Sequence, residues 1–190
     1  MLLYMIRHGE SEGNISGVVG GCKSIIGLTE RGIEDAKKAG EKISGIKFDR
    51  VYSSTLKRAI QTCKTAIPDC EPVLVEDLRE GDTGILDGRP ISECIEQYGE
   101  AYLNANKEND ASAFGGESRQ EMKARVRSFL ELLEKEPCEN VAVFTHEGII
   151  RRMYEIVTDN EECTERRWQN GAVCLFLYDG KRWTLKEEEL

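Results

Sequence analysis

At 190 residues, 39% hydrophobic and 32% charged, the chain is long enough for one domain with its own core, without help from metals or disulfides. Its net charge of −9 and sequence pI near 5.0 argue against nucleic acid and anionic membranes as main partners. An anionic small molecule must therefore be held by a local cluster of arginine and lysine side chains, against the overall field of the protein.

Short apolar runs with the composition of buried strands alternate with segments of helical periodicity. The expected strands span 2–6, 49–53, 73–75 and 141–144. The expected helices run from Thr29 to about 43, from Ser54 or Thr55 to about 67, from Ser118 to about 135 and over 148–157. Residues 91–106 are moderately helical, 107–116 are polar and irregular, and 172–178 with 182–186 predict a terminal hairpin.

This alternation predicts an α/β fold of three layers, with a mostly parallel central sheet, helices on both faces and the C-terminal hairpin at an edge. Ligands of such sheets bind beyond the carboxyl ends of the strands. Four segments lie at or just past those ends: 7–8, 53–58, Glu80 and 145–146. We expect residues 1–190 to form a single domain, with a small lid at about 91–116.

The two histidines of the chain both lie at these strand ends. Imidazole can act as nucleophile, acid or phosphate donor near neutral pH. His8 directly follows Arg7, and the planar guanidinium groups of Arg7 and Arg58 suit phosphate oxygens. Arg58 also falls in the first turn of its expected helix, where free N–H groups add anion affinity. The pattern predicts a site for phosphoryl transfer.

A metal site is the alternative use of two histidines and many carboxylates. The sequence contains no H-E-x-x-H motif, and its cysteine spacings do not fit a zinc site. We therefore expect metal-independent catalysis without a cofactor.

The cysteine count indicates reduced thiols. There are seven cysteines, an odd number without a C-x-x-C pair: Cys22, Cys63, Cys70, Cys94, Cys138, Cys163 and Cys174. Such a set fits a disulfide framework poorly and favours a cytoplasmic protein. Residues 2–6 are too short for a signal peptide, and no apolar stretch has the length of a transmembrane helix.

Six blocks of sequence resemble those of the histidine phosphatase superfamily, in its phosphoglycerate mutase-like branch. An R-H-G-E-S block with Asn14 three residues later is similar to the family signature, and an S-S-x-L-x-R-A-x-Q-T block contains Arg58. The blocks lie at 7–11, 27–32, 53–62, 78–80, 116–118 and 145–151. One R-H-G triplet would be weak evidence, but six blocks in the family's order are specific. Small members of the family include α-ribazole phosphatases.

The resemblance implies a role for each basic residue of the expected site. His8 would attack phosphorus and become transiently phosphorylated. Arg7 and Arg58 would bind the phosphate oxygens, and His146 would donate a further hydrogen bond to them. Asn14 would contribute one more donor.

Two acidic positions belong to the same expected site. Glu80 would donate a proton to the leaving alkoxide and then act as the base for water, with Asp82 as its substitute. The family usually has glycine directly after its second histidine, where this chain has Glu147. The Glu147 carboxylate would either repel phosphate or point away and pair with Arg151. We favour the second arrangement, which leaves the backbone N–H of Glu147 to bind phosphate.

We expect a phosphomonoesterase that acts on a small phosphorylated metabolite through phosphohistidine. Mutase-type transfer is the enzymatic alternative, although a short lid at 91–116 would protect the intermediate from water poorly. A phospho-ligand-binding module that has lost turnover is a third possibility, suggested by Glu147. The substrate stays open because residues 85–88 replace the family's W-E-G element. Both a monomer and a homodimer remain compatible with the sequence.

Overall fold

A computed structural model of the chain describes residues 1–23, 25–160 and 166–190. Six of its strands form one sheet, in the order β3-β2-β4-β1-β5-β6. They are β1 (Leu2–Arg7), β2 (Arg50–Ser54), β3 (Val73–Val75), β4 (Asn140–Thr145), β5 (Val173–Tyr178) and β6 (Trp183–Glu187). Strands β1 to β4 are parallel, whereas β5 runs antiparallel to β1 and β6 antiparallel to β5. The mostly parallel sheet with a hairpin at one edge is confirmed.

In the described ranges, seven α-helices accompany the sheet. They are α1 (Glu12–Ile15), α2 (Glu30–Lys42), α3 (Lys57–Ala66), α4 (Ile91–Tyr98), α5 (Glu100–Glu108), α6 (Arg119–Leu133) and α7 (Glu147–Thr158). The α/β class is confirmed, and the sequence analysis missed only the single turn of α1. None of the helices in the described ranges is long and apolar enough to span a bilayer.

Both faces of the sheet are covered by helices. Successive residues of a central strand point to opposite faces, so each such strand contributes side chains to the cores on both sides. In β1, Leu3 and Met5 pack in one core cluster with apolar residues of α6 and α7. Tyr4 and Ile6 pack in a second cluster with residues of α2 and α3. The continuous apolar run of β1 therefore packs in two cores. Arg7, the last residue of β1, and His8, the next residue, lie at the carboxyl end of the strand.

Two helix boundaries differ from the expectation. Helix α3 has Leu56 as its N-cap, and neither Ser54 nor Thr55 caps it. The Thr55 hydroxyl donates instead to the Glu76 carboxylate at 2.7 Å, and Ser54 belongs to β2. The helical segment from residue 91 continues to Glu108 but is interrupted at Gly99, whose φ of 53° lies in the left-handed region that favours glycine.

The cysteines of the described ranges are free thiols: Cys22, Cys63, Cys70, Cys94, Cys138 and Cys174. Cys163 lies outside the described residues. The single domain, the cytoplasmic location and the oligomeric state stay predictions.

Candidate active site

The topology brings the two histidines together. His8 follows β1 and His146 follows β4, and these two strands are adjacent and parallel, with Arg7 in register with Thr145. The ring centroids of His8 and His146 are 5.0 Å apart. Strand β2 pairs with the other side of β4 and leads into α3, which carries Arg58. The predicted meeting of these residues at the carboxyl edge of the sheet is thus present.

The His8 ring is held in one orientation by two hydrogen bonds. Its Nδ1 lies 2.7 Å from the carbonyl oxygen of Gly9, which makes Nδ1 the protonated nitrogen. Arg58 donates from Nε to His8 Nε2 at 3.2 Å. Burial, and then the charges of Arg58 and Arg7, hold the pKa of His8 well below the usual value. The ring is therefore neutral at neutral pH, with a lone pair on Nε2.

Gly9 permits this arrangement through a close backbone approach. A Cβ atom at Gly9 would lie 2.1 Å from the carbonyl oxygen of Gly32 in α2. The Gly9 N–H donates to the Thr62 hydroxyl of α3 at 3.1 Å. The loop after β1 is consequently fixed between α2 and α3, which positions the His8 ring.

His146 is fully buried and bonded through one nitrogen. Its Nε2 lies 2.8 Å from the Ser54 hydroxyl, which also accepts a hydrogen bond from the Leu56 N–H at 3.2 Å. While it accepts from the Leu56 N–H, the Ser54 hydroxyl can donate its own proton to Nε2, and in that arrangement the ring proton lies on Nδ1. Nδ1 has no hydrogen-bond partner among the described residues. Burial, followed by the charges of Arg58 and His8, lowers the pKa of His146 well below the usual value.

Arg58 and Arg7 approach the same space from α3 and β1. Arg58 is 4% exposed, and its Nη2 donates to the carbonyl oxygen of Gly21 at 3.2 Å. Arg7 donates from Nη1 to the Trp168 carbonyl oxygen. Both guanidinium groups are therefore held by backbone carbonyls before any ligand arrives.

Glu80 is positioned by backbone N–H groups. Its Oε1 accepts from the Gly81 N–H at 2.9 Å and its Oε2 from the Gly148 N–H at 3.3 Å. A Cβ atom at Gly148 would lie 2.2 Å from Glu80 Oε1, so glycine lets the carboxylate keep this position and a larger residue would displace it. Asp82, the expected substitute, lines the same cavity and pairs with Lys23 at 2.9 Å.

Asn14 lines the cavity, as expected, but its amide oxygen is already engaged. It accepts from the Ser11 N–H and hydroxyl, both at 2.9 Å, and from Asn170 Nδ2 at 3.3 Å. Asn170 also donates to the His8 carbonyl oxygen at 3.0 Å. The sequence analysis missed the positioning contacts of Ser54, Gly148 and Asn170, although Ser54 and Gly148 stand inside recognised blocks.

The orientation expected for Glu147 is wrong. Its carboxylate lines the cavity and pairs with Arg7, Oε2 lying 3.0 Å from Nη1. Its other oxygen lies 3.6 Å from Nε of Arg167. Arg151, the partner expected for it, donates from Nη2 to the Lys107 carbonyl oxygen at 2.8 Å. The side chain turns inward because the segment carrying Arg167 brings a second positive charge to the pocket from far along the chain.

The cavity has a volume of about 330 Å³. The expected site residues on its wall are Arg7, His8, Asn14, Arg58, Glu80 and Glu147. The segment expected to be a lid supplies Ile91, Tyr102, Ala105, Asn106, Asn109, Asp110 and Ala111. Within the described ranges, no group of three or more His, Cys, Asp and Glu side chains is arranged to hold a metal ion.

Known proteins are similar to this chain in sequence and in fold. The sequence model of the histidine phosphatase superfamily (branch 1) matches residues 3–189. Phosphoglycerate mutase-like protein 4 of Arabidopsis thaliana is 29% identical over 191 residues, covering 97% of this chain and 83% of that protein. The 2,3-bisphosphoglycerate-dependent phosphoglycerate mutase of Mesorhizobium japonicum is 34% identical over 132 residues, covering 65% of this chain and 64% of the mutase. The match thus spans less than two thirds of that enzyme.

A solved structure of a phosphatase has the same fold as this chain. The crystal structure of the α-ribazole phosphatase from Shigella flexneri has a TM-score of 0.88 at 26% identity and covers 100% of this chain and 96% of that chain. The resemblance inferred from the six sequence blocks is confirmed.

Proposed function

Because the chain belongs to branch 1 of the histidine phosphatase superfamily, we propose that it is a phosphomonoesterase that hydrolyses a small phosphorylated metabolite through phosphohistidine. The observation that carries the proposal is the unprotonated Nε2 of the buried His8, 3.2 Å from Arg58 Nε. A neutral imidazole next to a guanidinium group is a nucleophile placed where a phosphate would bind.

In the first step, Nε2 of His8 attacks phosphorus, and the P–N bond forms as the P–O bond of the ester breaks. Arg7 and Arg58 stabilise the charge on the phosphoryl oxygens, and Nδ1–H of His146 donates to one of them. Glu80, which takes up a proton from solvent when the ester binds, gives that proton to the leaving alkoxide, and the alkoxide departs as an alcohol.

In the second step, a water molecule attacks the phosphohistidine. Glu80, now a carboxylate, takes the proton of the water as the P–N bond breaks. The bonding electrons return to Nε2 of His8, and inorganic phosphate leaves. No step calls for a metal ion, so activity should persist in the presence of a chelator.

The substrate class follows from the part of the cavity wall that the segment 91–116 supplies. Ile91, Tyr102 and Ala105 make part of it apolar, while Asn106 and Asn109 supply amide groups. The leaving group should therefore combine an apolar part with groups that form hydrogen bonds. In this proposal the segment 91–116 acts as a lid that contacts the leaving group.

The test is to trap the intermediate. The wild type and His8→Ala are mixed with a radiolabelled phosphate ester and quenched at alkaline pH. We expect acid-labile label on the wild type only, and release of phosphate by the wild type only. Label that survives His8→Ala would contradict the assignment of the nucleophile.

Mutase-type transfer is a second candidate, because one of the relatives above is named as a phosphoglycerate mutase. The two activities differ in the fate of the phosphoryl group, which passes to water or back to substrate. Incubation with 3-phosphoglycerate separates them: 2-phosphoglycerate supports the mutase, and inorganic phosphate supports the phosphatase.

A binding module without turnover is favoured by one observation, the Glu147 carboxylate on Arg7. It would bind phosphate yet release none from p-nitrophenyl phosphate. Hydrolysis of that substrate by the wild type, lost in His8→Ala, would end this interpretation.

A further inference from the structure

Glu147 occupies a side of Arg7 that faces the cavity. The two side chains are only 19% and 14% exposed, and Glu147 Oε2 lies 3.0 Å from Arg7 Nη1. The other oxygen, Oε1, is buried without a hydrogen bond. A carboxylate oxygen on a guanidinium group makes the same kind of contact as a phosphate oxygen. The protein's own anion thus stands where a ligand anion would be bound.

We propose that Glu147 is a ligand-binding residue that takes up a proton when a dianionic phosphate group binds to Arg7. The proposal rests on the proposed function in treating the cavity as a phosphate site. A neutral carboxyl group removes the repulsion between two anions that share Arg7, and its O–H can donate to a phosphate oxygen. The proton comes from solvent, so anion binding and proton uptake are coupled.

The charged groups around Glu147 support this coupling. Arg7 faces it from β1, Arg167 from the segment before β5, Arg151 from its own helix and Glu80 from the loop after β3. Burial, which dominates, raises the pKa of Glu147, and the charge of Glu80 adds to the effect. The three arginines lower it but do not reverse the direction. A bound phosphate adds negative charge and competes with Glu147 for Arg7, so it raises the pKa of Glu147 further.

The two histidines are also close to this site and must be separated from Glu147: His8 lines the cavity, and the buried His146 ring lies 5.0 Å from the His8 ring, centroid to centroid. Both are neutral because their pKa values are depressed, and a bound anion would raise those values too. Some proton uptake will therefore come from His8 and His146. Only a comparison between variants isolates the contribution of the carboxyl group.

The experiment uses sulfate, a tetrahedral dianion that does not itself titrate near neutral pH. Isothermal titration calorimetry in buffers of different ionisation heat counts the protons taken up per sulfate. Between the pKa of Glu147 in the free protein and its higher pKa in the sulfate complex, we expect the wild type to take up about one more proton than Glu147→Gln. Its sulfate affinity should correspondingly fall by about tenfold more per pH unit.

Asp82→Asn is the matched control. Asp82 lines the same cavity, but its carboxylate pairs with Lys23 and not with Arg7. Removing this charge should change sulfate affinity equally at every pH and leave the proton count of the wild type. Glu147→Ala provides a second test of the carboxyl group if Glu147→Gln does not fold.

Each outcome decides between the inference and the proposed function. Sulfate binding with the same proton count in the wild type, Glu147→Gln and Glu147→Ala overturns the role of Glu147 alone. No sulfate binding to the wild type at any pH overturns the phosphate site, and with it both proposals.

Discussion

At the scale of single residues, one hydroxyl group determines how the second histidine can act. Ser54 accepts from the Leu56 N–H and lies 2.8 Å from Nε2 of His146, and when its hydroxyl donates to Nε2 the ring proton lies on Nδ1. Only that tautomer presents a donor to a phosphate oxygen. Ser54 is thus a positioning residue that acts through His146.

Replacing Ser54 tests this role. Ser54→Ala should lower kcat for a phosphate ester by about 10- to 100-fold, because the ring loses the partner that fixes its tautomer. Ser54→Thr keeps the hydroxyl and should recover most of the activity. Ser53→Ala removes a neighbouring buried hydroxyl that donates to the Ser54 carbonyl oxygen, and serves as the matched control. Unchanged kcat in Ser54→Ala would contradict the role.

Gly148 offers a test of Glu80 from the opposite side. A methyl group at Gly148 would come within 2.2 Å of Glu80 Oε1, so Gly148→Ala should displace the carboxylate. We expect a loss of kcat of about 100-fold, as for removal of a general acid. In the double variant Gly148→Ala/Glu80→Gln, kcat should fall by the same factor as in Glu80→Gln alone, because both substitutions act on the Glu80 carboxyl group.

The control for that substitution is Gly20→Ala. Gly20 also lines the cavity, but a Cβ atom there would have no neighbour within 4 Å. Additive losses of kcat in the double variant would mean that Gly148 acts by a route other than Glu80.

Residue identities at the site were predictable, but the direction of one side chain was not. His8, Arg7, Arg58 and His146 stand in blocks whose strand-end placement brings them together. Glu147 was misjudged because a local i,i+4 pairing with Arg151 was weighed without the segment that follows α7. The charge that helps to draw it inward comes from Arg167, twenty positions away in sequence and next to it in space.

At the scale of elements, α6 begins with a reciprocal cap. Ser118 accepts from the Glu121 N–H at 3.2 Å, and the Glu121 carboxylate accepts from the Ser118 N–H at 2.8 Å. Two N–H groups that would lack partners in the first turn are satisfied in this way. The cap fixes the start of the helix whose Met122 and Val126 enter the core.

Removing this cap should cost stability without affecting chemistry. Ser118→Ala should lower the free energy of unfolding by about 1 kcal/mol, which corresponds to a decrease in Tm of about 2 to 4 °C for a chain of this size. Ser44→Ala, at an exposed serine after α2, should leave Tm unchanged. Thermal unfolding followed by circular dichroism measures both, and an unaltered Tm in Ser118→Ala would show that the cap contributes nothing.

Elements with strong periodicity or caps were predictable from sequence, and those shaped by tertiary contacts were not. The Thr29 and Ser118 caps are present as expected. The start of α3 shifted because Ser54 pairs with His146 and accepts from the N–H of Leu56, while Thr55 donates to Glu76, so neither hydroxyl caps an N–H inside the helix. The local tendency of Ser and Thr to cap helices is overridden where the side chain forms a hydrogen bond with a residue distant in sequence.

At the scale of the whole molecule, the alternation of strands and helices predicted the layers but not the strand order. The order β3-β2-β4-β1-β5-β6 places β1 and β4 side by side although residues 8–139 separate them in sequence. That pairing depends on the apolar faces shared with α6 and α7, which no local pattern reveals. Its consequence is that two histidines are buried together, without charge, beside two arginines.

Burying the histidines neutral makes folding stability depend on pH. Their pKa values lie well below 6.5 in the folded protein, so below about pH 6.5 the unfolded chain binds more protons than the folded one. Stability is therefore complete above that pH and falls as the pH decreases, by about 1.4 kcal/mol per pH unit for each histidine. Urea unfolding between about pH 7 and pH 5 should show this contribution, and His146→Gln should reduce the slope by about 1.4 kcal/mol per pH unit. An equal slope in both proteins would mean that His146 is charged in the folded state, and it could not then be the neutral donor that accompanies His8.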